Sequence, residues 1–459
     1  MARPTGGAED RAVAAAAVAG AAGDSPAARR CDPPARGGAA GPAREETMHV
    51  PPGWPRDCAG RLLAAGVPIE TLAEAHGTPL FLYSAPLVEA RVAALRAALP
   101  AELRLRYAVK ANPMPDLLRL MAGLVDGFDI ASQGELDLVR AAGAEGLRIG
   151  FAGPGKRDGE IEAAIRAGAV LHVESEGELR RASAIARRLG TRARVALRVN
   201  PPFRLRGSGL LLGGGASPFG IDAADVPGVL AAVDPEAADF LGFHIFSGSQ
   251  VLDAAALAEA AGQSLALAAE LAASAPGPVR HLVLGGGFGV PYFPADRPLD
   301  LPALGAALGP LLVHRPPALA GAEISLELGR YLVAEAGVYV TRILDRKRSC
   351  GETFLVTDGG LHHQLAATGN FGSVVRRNYP LALAGPGRGP VEEVHVVGCL
   401  CTPLDRLGDR IRLPRAAPGD LVVVFLAGAY GRTASPERFL GHPPPGEILV
   451  APGRSAKAG

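Results

Sequence analysis

Only four of the 47 basic residues in this 459-residue chain are lysines: Lys110, Lys156, Lys347 and Lys457. Arginine serves wherever positive charge alone is needed. Lys110 closes the run 105–109, which reads as a buried strand, and a lysine there implies chemistry that a guanidinium cannot perform. An amine that can lose its proton forms a Schiff base with an aldehyde, and a desolvated site lowers its pKa toward that state. The plainer reading is a stem that snorkels from a strand end to water.

A second group lies far along the chain. Gly285, Gly286 and Gly287, in GGGFG, end another apolar run. Their spacing is neither a dinucleotide fingerprint nor a P-loop. Adjacent glycines after a strand let backbone N–H groups approach a phosphate, or simply make a tight turn. Arg330, from the next run, adds a cation, and Glu327 a carboxylate. An amine, a phosphate cradle and an acid together meet the needs of pyridoxal 5′-phosphate (PLP). Its aldehyde takes the amine, and its ring nitrogen takes an acid that keeps it protonated as an electron sink. His244 is flat enough to stack on such a ring, or to be a satisfied core histidine.

The elements that must position these residues have a clear rhythm. Eight apolar strand-like runs recur from about residue 80: LRYAVK, GFDIAS, LRIGFAG, VLHVES, VALRVN, LGFHIFS, HLVLGGG and ISLELGR. Between them lie segments of helical spacing: PDLLRLMAGL, GELDLVRAAGA, GEIEAAIRAGA, GELRRASAIARRLG and 253–275. Continuous apolar strands alternating with helices indicate a parallel sheet covered on both faces. Eight units predict an α/β fold, a (β/α)8 TIM barrel over 80–334, whose working residues sit at the C-terminal strand ends. Those ends carry Lys110, Asp129, Glu174, Arg198, His244, the three glycines, and Glu327 with Arg330. From 335 to 450 the pattern changes to VYVTRILDRK, TFLVTDGG, EEVHVVGCLC and LVVVFLAGAYG, a second, mostly β domain. Residues 48–79 are a lead-in that packs with it, supplying a helix and a strand.

Residues 1–47 are Ala, Gly, Pro and Arg with almost no large apolar side chains, the composition of a disordered extension. The tail 451–459 reads the same way. A net charge of +1 gives no footprint for nucleic acid or anionic membrane, and no apolar run reaches spanning length. Five cysteines without a CxxC pair argue against a disulfide framework or a zinc ribbon and for a reducing cytoplasm. His362 and His363 follow TDGG and either face a substrate or form a surface pair. No carboxylate stands at helical spacing from them, so no metal site is expected. Glu178 and Arg181 are expected on a solvated helix face.

Taken together, YAVKAN, GFDIASQGEL, LRVNP, FHIFSGSQ, LGGGFG, ELGRYLVAEAG, CTPLDRL and GAYG run in one order across about residues 70–450. The sequence resembles the fold-type III PLP-dependent decarboxylases, the diaminopimelate, ornithine and arginine decarboxylase family. The resemblance implies Lys110 as the Schiff-base lysine with Asp129 near it. Arg198 and His244 would flank the ring, and Glu327 would pair with the pyridine nitrogen. Ser247, Gly285, Gly286, Gly287, Arg330 and Tyr430 would hold the phosphate. Cys401 matches the catalytic cysteine of the second domain, with Thr402 and Asp405 beside the substrate. In the family that loop reaches the neighbouring subunit, which implies a homodimer with two shared sites and an amino acid as substrate.

Three departures stand out. Leu328 replaces the proline of EPGR. Thr402 stands where diaminopimelate decarboxylases carry an acid after the cysteine, so poor activity on meso-diaminopimelate is expected. HIFSGSQ is longer than HIGSQ, leaving Ser247 and Ser249 both open as the phosphate ligand. The loop GSGLLLGGGASPFGID, with HIFSGSQ and CTPLD, resembles a side branch, exosortase-associated or linked to carrier-bound amino acids. The sequence therefore predicts a PLP-dependent carboxy-lyase. The alternatives are a racemase of the same architecture, a non-catalytic PLP-binding protein, or a phosphate-binding barrel without PLP.

Overall fold

The computed structural model describes residues 50–207, 210–211, 213–369 and 377–452. The expected disordered segments at 1–47 and from 453 onward lie outside the described residues. Eight parallel strands close into a barrel: Arg104–Ala108, Gly127–Ile130, Ile149–Phe151, Val170–Val173, Ala193–Asn200, Ala238–Ile245, His281–Gly286 and Glu323–Leu328. Each comes from one of the eight expected runs. The ring closes where the last strand pairs with the first, Glu327 opposite Arg106 and Leu328 opposite Tyr107. Helices Pro115–Ala122, Gln133–Ala141, Asp158–Arg166, Glu176–Arg188 and Ala254–Ala272 pack outside. The main hydrophobic core lies between strands and helices.

Two of these helices begin with the same device. Ser132 accepts from the Glu135 N–H while Glu135 accepts from the Ala131 N–H. Ser175 and Glu178 repeat it, with Glu178 accepting from the Glu174 N–H. The serine satisfies an N–H that has no partner within the helix, and the glutamate reaches back to the residue before the cap, a variant of the capping box. Here they also fix the chain just past Asp129 and Glu174. Glu178 is therefore not on a solvated face, as expected, but buried, where it also pairs with the Lys156 ammonium at 2.7 Å.

Two helices between barrel strands were not anticipated, Val226–Ala231 and Leu301–Val313, nor was Ala85–Ala98 ahead of the first barrel strand. The second, LPALGAALGPLLV, has no charge and contains Pro310, so it shows no polar face to mark a helical period. It packs against Ala85–Ala98 and Ala254–Ala272. Among the described residues no helix is long and apolar enough to cross a membrane.

The second domain is built on the long strand Gly337–Ser349, which pairs with Glu352–Thr357, Leu421–Val424 and Leu80–Ser84. Leu80–Ser84 also pairs in parallel with Gly446–Val450. The expected barrel boundary at 80 is thus displaced. Residues 80–84 belong to the second sheet, and Ala85–Ala98 leads into the barrel. Their five consecutive buried side chains fit a strand covered on both faces, which residue type alone does not distinguish from a barrel strand. The expected strand LVVVFLAGAYG stops at Val424, because Leu426 and Tyr430 adopt left-handed backbone conformations that end the ladder.

Candidate active site

The inward-facing positions of the barrel are polar to an unusual degree. Arg106, Asp129, His172, Glu174, Arg198, His244, His281, Ser325 and Glu327 are all buried. Glycines make room for them: a Cβ at Gly150 would lie 2.7 Å from the His172 ring, and one at Gly127 would meet the Arg106 guanidinium at 3.0 Å. Buried polar groups persist only when partnered or when a ligand completes them.

Lys110 sits one turn past the first strand, which ends at Ala108, in the short helical turn Val109–Ala111 rather than on the strand itself. Its Nζ lies 3.3 Å from Asp129 Oδ2. Nearly half of its side-chain surface is exposed, but to the hollow of the barrel mouth, with dense protein around it. Desolvation was expected to lower its pKa. The structure corrects this: the Asp129 carboxylate holds the ammonium well above the usual lysine range, and burial opposes it without prevailing.

One turn of the second domain fixes the chain just past Lys110 from above. The Tyr430 N–H donates to Ala111 O at 2.8 Å, and Asn112 Nδ2 donates to Gly428 O at 3.1 Å. Arg330 lies under the same turn, its guanidinium 4.7 Å from the Tyr430 ring centroid and donating to the Tyr292 hydroxyl at 2.9 Å. Among the described residues its Nε has no hydrogen-bond partner.

Across the mouth, Glu327 Oε2 lies 2.8 Å from His244 Nε2, while Oε1 has no hydrogen-bond partner among the described residues. Burial pushes the Glu327 carboxyl up to about 7, against the pull of Lys110 and Arg106. Burial, helped by Arg198, brings His244 down to about 3, so the ring is neutral. His244 stacks on His172, centroids 4.4 Å apart, and on the other side faces Phe246 at 6.5 Å. Arg198 is held by Glu174 at 2.7 Å.

The three glycines follow at the end of the seventh strand. A Cβ at Gly286 would lie 2.1 Å from Glu327 O, and one at Gly287 2.5 Å from Gly248 O. Gly285 and Gly287 have positive φ, so side chains are excluded here by both space and backbone. Ser247 and Gly286 border a small cavity whose other walls include Leu257, Leu304 and Leu308 of the outer helices, so it lies behind the strands rather than in the mouth; Ser249 is paired in a short ladder with Leu210. A free carboxylate oxygen, an amine, a glycine cradle and an unpartnered buried guanidinium nitrogen fit an acidic, aldehyde-bearing aromatic cofactor.

The fold separates the remaining candidates from this mouth. Cys401 is exposed on the second domain, with Thr402 half-buried beside it. Asp405, expected to bind substrate, is instead buried. It accepts from the Leu361 N–H at 2.6 Å and the Leu400 N–H at 2.9 Å, so it braces the loop that carries Cys401. His362 and His363 are not a surface pair; both are buried. His172, Phe246 and Tyr292 were missed. Each stood in an apolar or turn-like run, and only the fold brings it to the mouth.

Comparison with known proteins agrees with this geometry. The family described as pyridoxal-dependent decarboxylase, pyridoxal binding domain, matches residues 86–334. An L-glutamyl-[BtrI acyl-carrier protein] decarboxylase from Niallia circulans is 36% identical over 83% of this chain and 90% of its own. A diaminopimelate decarboxylase from Aquifex aeolicus is 32% identical over 86% and 91%. The solved diaminopimelate decarboxylase from Helicobacter pylori with L-lysine superposes with a TM-score of 0.73 at 27% identity, covering 83% of this chain and 94% of that one. The chain belongs to the pyridoxal-dependent decarboxylase family, and with its closed barrel and second β domain it is a PLP-dependent carboxy-lyase.

Proposed function

We propose that this enzyme removes the α-carboxylate of an amino acid presented on a carrier protein, and that Lys110 is the residue that holds the cofactor's aldehyde carbon. The observation that carries the assignment of Lys110 is the convergence of its amine, the spare oxygen of Glu327 and the three-glycine cradle on one barrel mouth. Glu327 would hold the ring nitrogen. Gly285, Gly286, Gly287, Ser247, Arg330 and Tyr430 would surround the phosphate, with His244 and Arg198 flanking the ring. When bound, PLP supplies the sink for the electron pair left behind as carbon dioxide departs.

The chain's own residues manage protons around that event. Lys110 is an ammonium at neutral pH and must lose a proton before it can act as a nucleophile. Asp129 is the adjacent acceptor, and its own pKa is raised by burial and by Glu327. Neutral His244 holds the Glu327 carboxylate in place from below. Lys110 or Cys401 returns a proton to Cα. Cys401 would do so in a neighbouring subunit, and its exposure together with Leu404, Phe439 and Leu440 supports a paired surface of that kind.

Two observations favour a tethered substrate. The relative that is 36% identical is named for a carrier-bound glutamyl group. Thr402 leaves no charge after the cysteine to meet the far ammonium of a free diamino acid. The test measures carbon dioxide release from free meso-diaminopimelate, ornithine and lysine, and from an acyl-carrier protein carrying an amino acid thioesterified through its side-chain carboxyl, which leaves the α-carboxylate free to depart. Turnover confined to the loaded carrier is expected. Efficient release from free meso-diaminopimelate would refute the tethered reading, and inversion of Cα without gas release would favour the racemase.

A further inference from the structure

Away from the barrel mouth, three loops of the second domain bring His362, Cys399 and His442 together, with one donor atom from each within 4.8 Å of the others. His362 follows the strand Glu352–Thr357, Cys399 follows Val391–Val397, and His442 precedes Gly446–Val450. Cys399 Sγ lies 3.9 Å from both ring nitrogens of His442. The rings of His362 and His442 are 5.1 Å apart. His362 is wholly buried, and among the described residues neither ring nitrogen has a hydrogen-bond partner. Its neighbour His363, equally buried, uses both nitrogens, on the Tyr339 hydroxyl and Pro443 O. A buried imidazole with two idle nitrogens beside a thiol and a second imidazole lacks what normally justifies burying it.

We propose that His362, Cys399 and His442 bind a zinc-like divalent cation through one sulfur and two nitrogens. In a tetrahedral site with Zn–S about 2.3 Å and Zn–N about 2.0–2.1 Å, neighbouring donors stand roughly 3.5 Å apart, so these atoms begin within about 1.5 Å of that arrangement. A thiolate and imidazoles suit zinc rather than magnesium or calcium. Burial brings His362 down to about 4, so it is an unprotonated donor at neutral pH. Burial and the nearby Asp405 push the Cys399 thiol up to about 11. Binding therefore expels the thiol proton to solvent as the sulfur–metal bond forms, which leaves two imidazoles, one thiolate and the dication with a net charge of +1. Three protein ligands leave a fourth position open, on the side where Cys399 and His442 are partly exposed. The ion would staple the loop carrying Cys401, two residues beyond Cys399, to the closing strand of the sheet.

The test titrates full-length, PLP-loaded protein, stripped with a chelator and dialysed, with zinc chloride in a calorimeter. Wild type is compared with Cys399→Ser, His442→Gln and Cys350→Ser, each checked for wild-type circular dichroism and PLP content. One saturable equivalent is expected. It should weaken by at least about 100-fold in Cys399→Ser and His442→Gln, since even changes to a ligand's hydrogen-bond partner cost 10–100-fold, and should persist in Cys350→Ser. X-ray absorption of the zinc-loaded protein should show one sulfur at about 2.3 Å. No saturable uptake, equal uptake by Cys399→Ser, or a sulfur-free zinc shell accompanied by a changed PLP spectrum would each overturn the proposal. The last would place the ion at His172, His244 and Glu327 instead.

Discussion

Replacing Glu327 by glutamine tests the electrostatics of the barrel mouth directly. In the cofactor-free protein the Glu327 carboxyl titrates at about 7 rather than its ordinary 4.5, chiefly because it is buried. The folded state holds this proton more tightly than the unfolded chain does. Its stability contribution is therefore full below pH 4.5 and is lost as pH rises through about 7. At 1.36 kcal/mol per pH unit, that interval corresponds to about 3 kcal/mol. Glutamine has nearly the same shape, can still meet His244, and does not titrate. Relative to wild type, cofactor-free Glu327→Gln should gain about 3 kcal/mol between pH 4.5 and 8. With an unfolding entropy of about 2.1 cal/mol/K per residue over roughly 400 residues, the melting temperatures should diverge by about 3–4 °C across that range. Thermal melts at half-unit pH steps, read by circular dichroism, measure it. Loading wild type with PLP should flatten the difference, because a cationic group at the free Oε1 stabilises the carboxylate. Parallel profiles for the two cofactor-free proteins would refute this account of the site.

Asp129→Asn removes the charge that holds the Lys110 proton, so the pKa of Lys110 falls. Acylation of Lys110 in the cofactor-free protein at pH 8, followed by peptide mass spectrometry, should be faster than in wild type. Lys110→Ala should release no carbon dioxide, and borohydride reduction of the loaded wild type should leave the cofactor on the peptide carrying Lys110 and on no other. Gly286→Ala places a methyl against Glu327 O, an overpacking of about 1–3 kcal/mol, and should lower both the melting temperature and the affinity for PLP measured by fluorescence. Cys401→Ala should lose most of its carbon dioxide release, and mixing it with inactive Lys110→Ala subunits should restore about a quarter of wild-type activity, since random pairing makes half the dimers mixed, each with one intact shared site. No recovery after subunit exchange would argue for sites contained within one chain.

Much of the barrel could be read from sequence because most strands are short apolar runs with a chemically distinctive residue at or near the C-terminal end, and because Ser-x-x-Glu marks two of the helix starts that follow. Lys110 was conspicuous through rarity, and the three glycines through adjacency. What stayed hidden depends on contacts between distant positions. His172 lies within a run of apolar residues, and only barrel closure stacks it on His244. The sign of the Lys110 shift depends on a 3.3 Å approach to Asp129 that no local pattern encodes. Asp405 looks like a substrate ligand by position, yet the loop uses both its oxygens. His362, Cys399 and His442 stand about forty residues apart, with no spacing that announces a ligand set.

The pairing of Leu80–Ser84 with both Gly337–Ser349 and Gly446–Val450 makes the barrel an insertion within another sheet. During synthesis the ribosome delivers Leu80–Ser84 early, yet its two neighbours emerge only after the whole barrel has been made. The nascent protein must carry an apolar strand with both edges bare for most of its translation, a natural target for a holding chaperone. A chain halted after residue 445 would lack Gly446–Val450 and keep one of those edges exposed, so termination there should yield aggregates rather than a working enzyme.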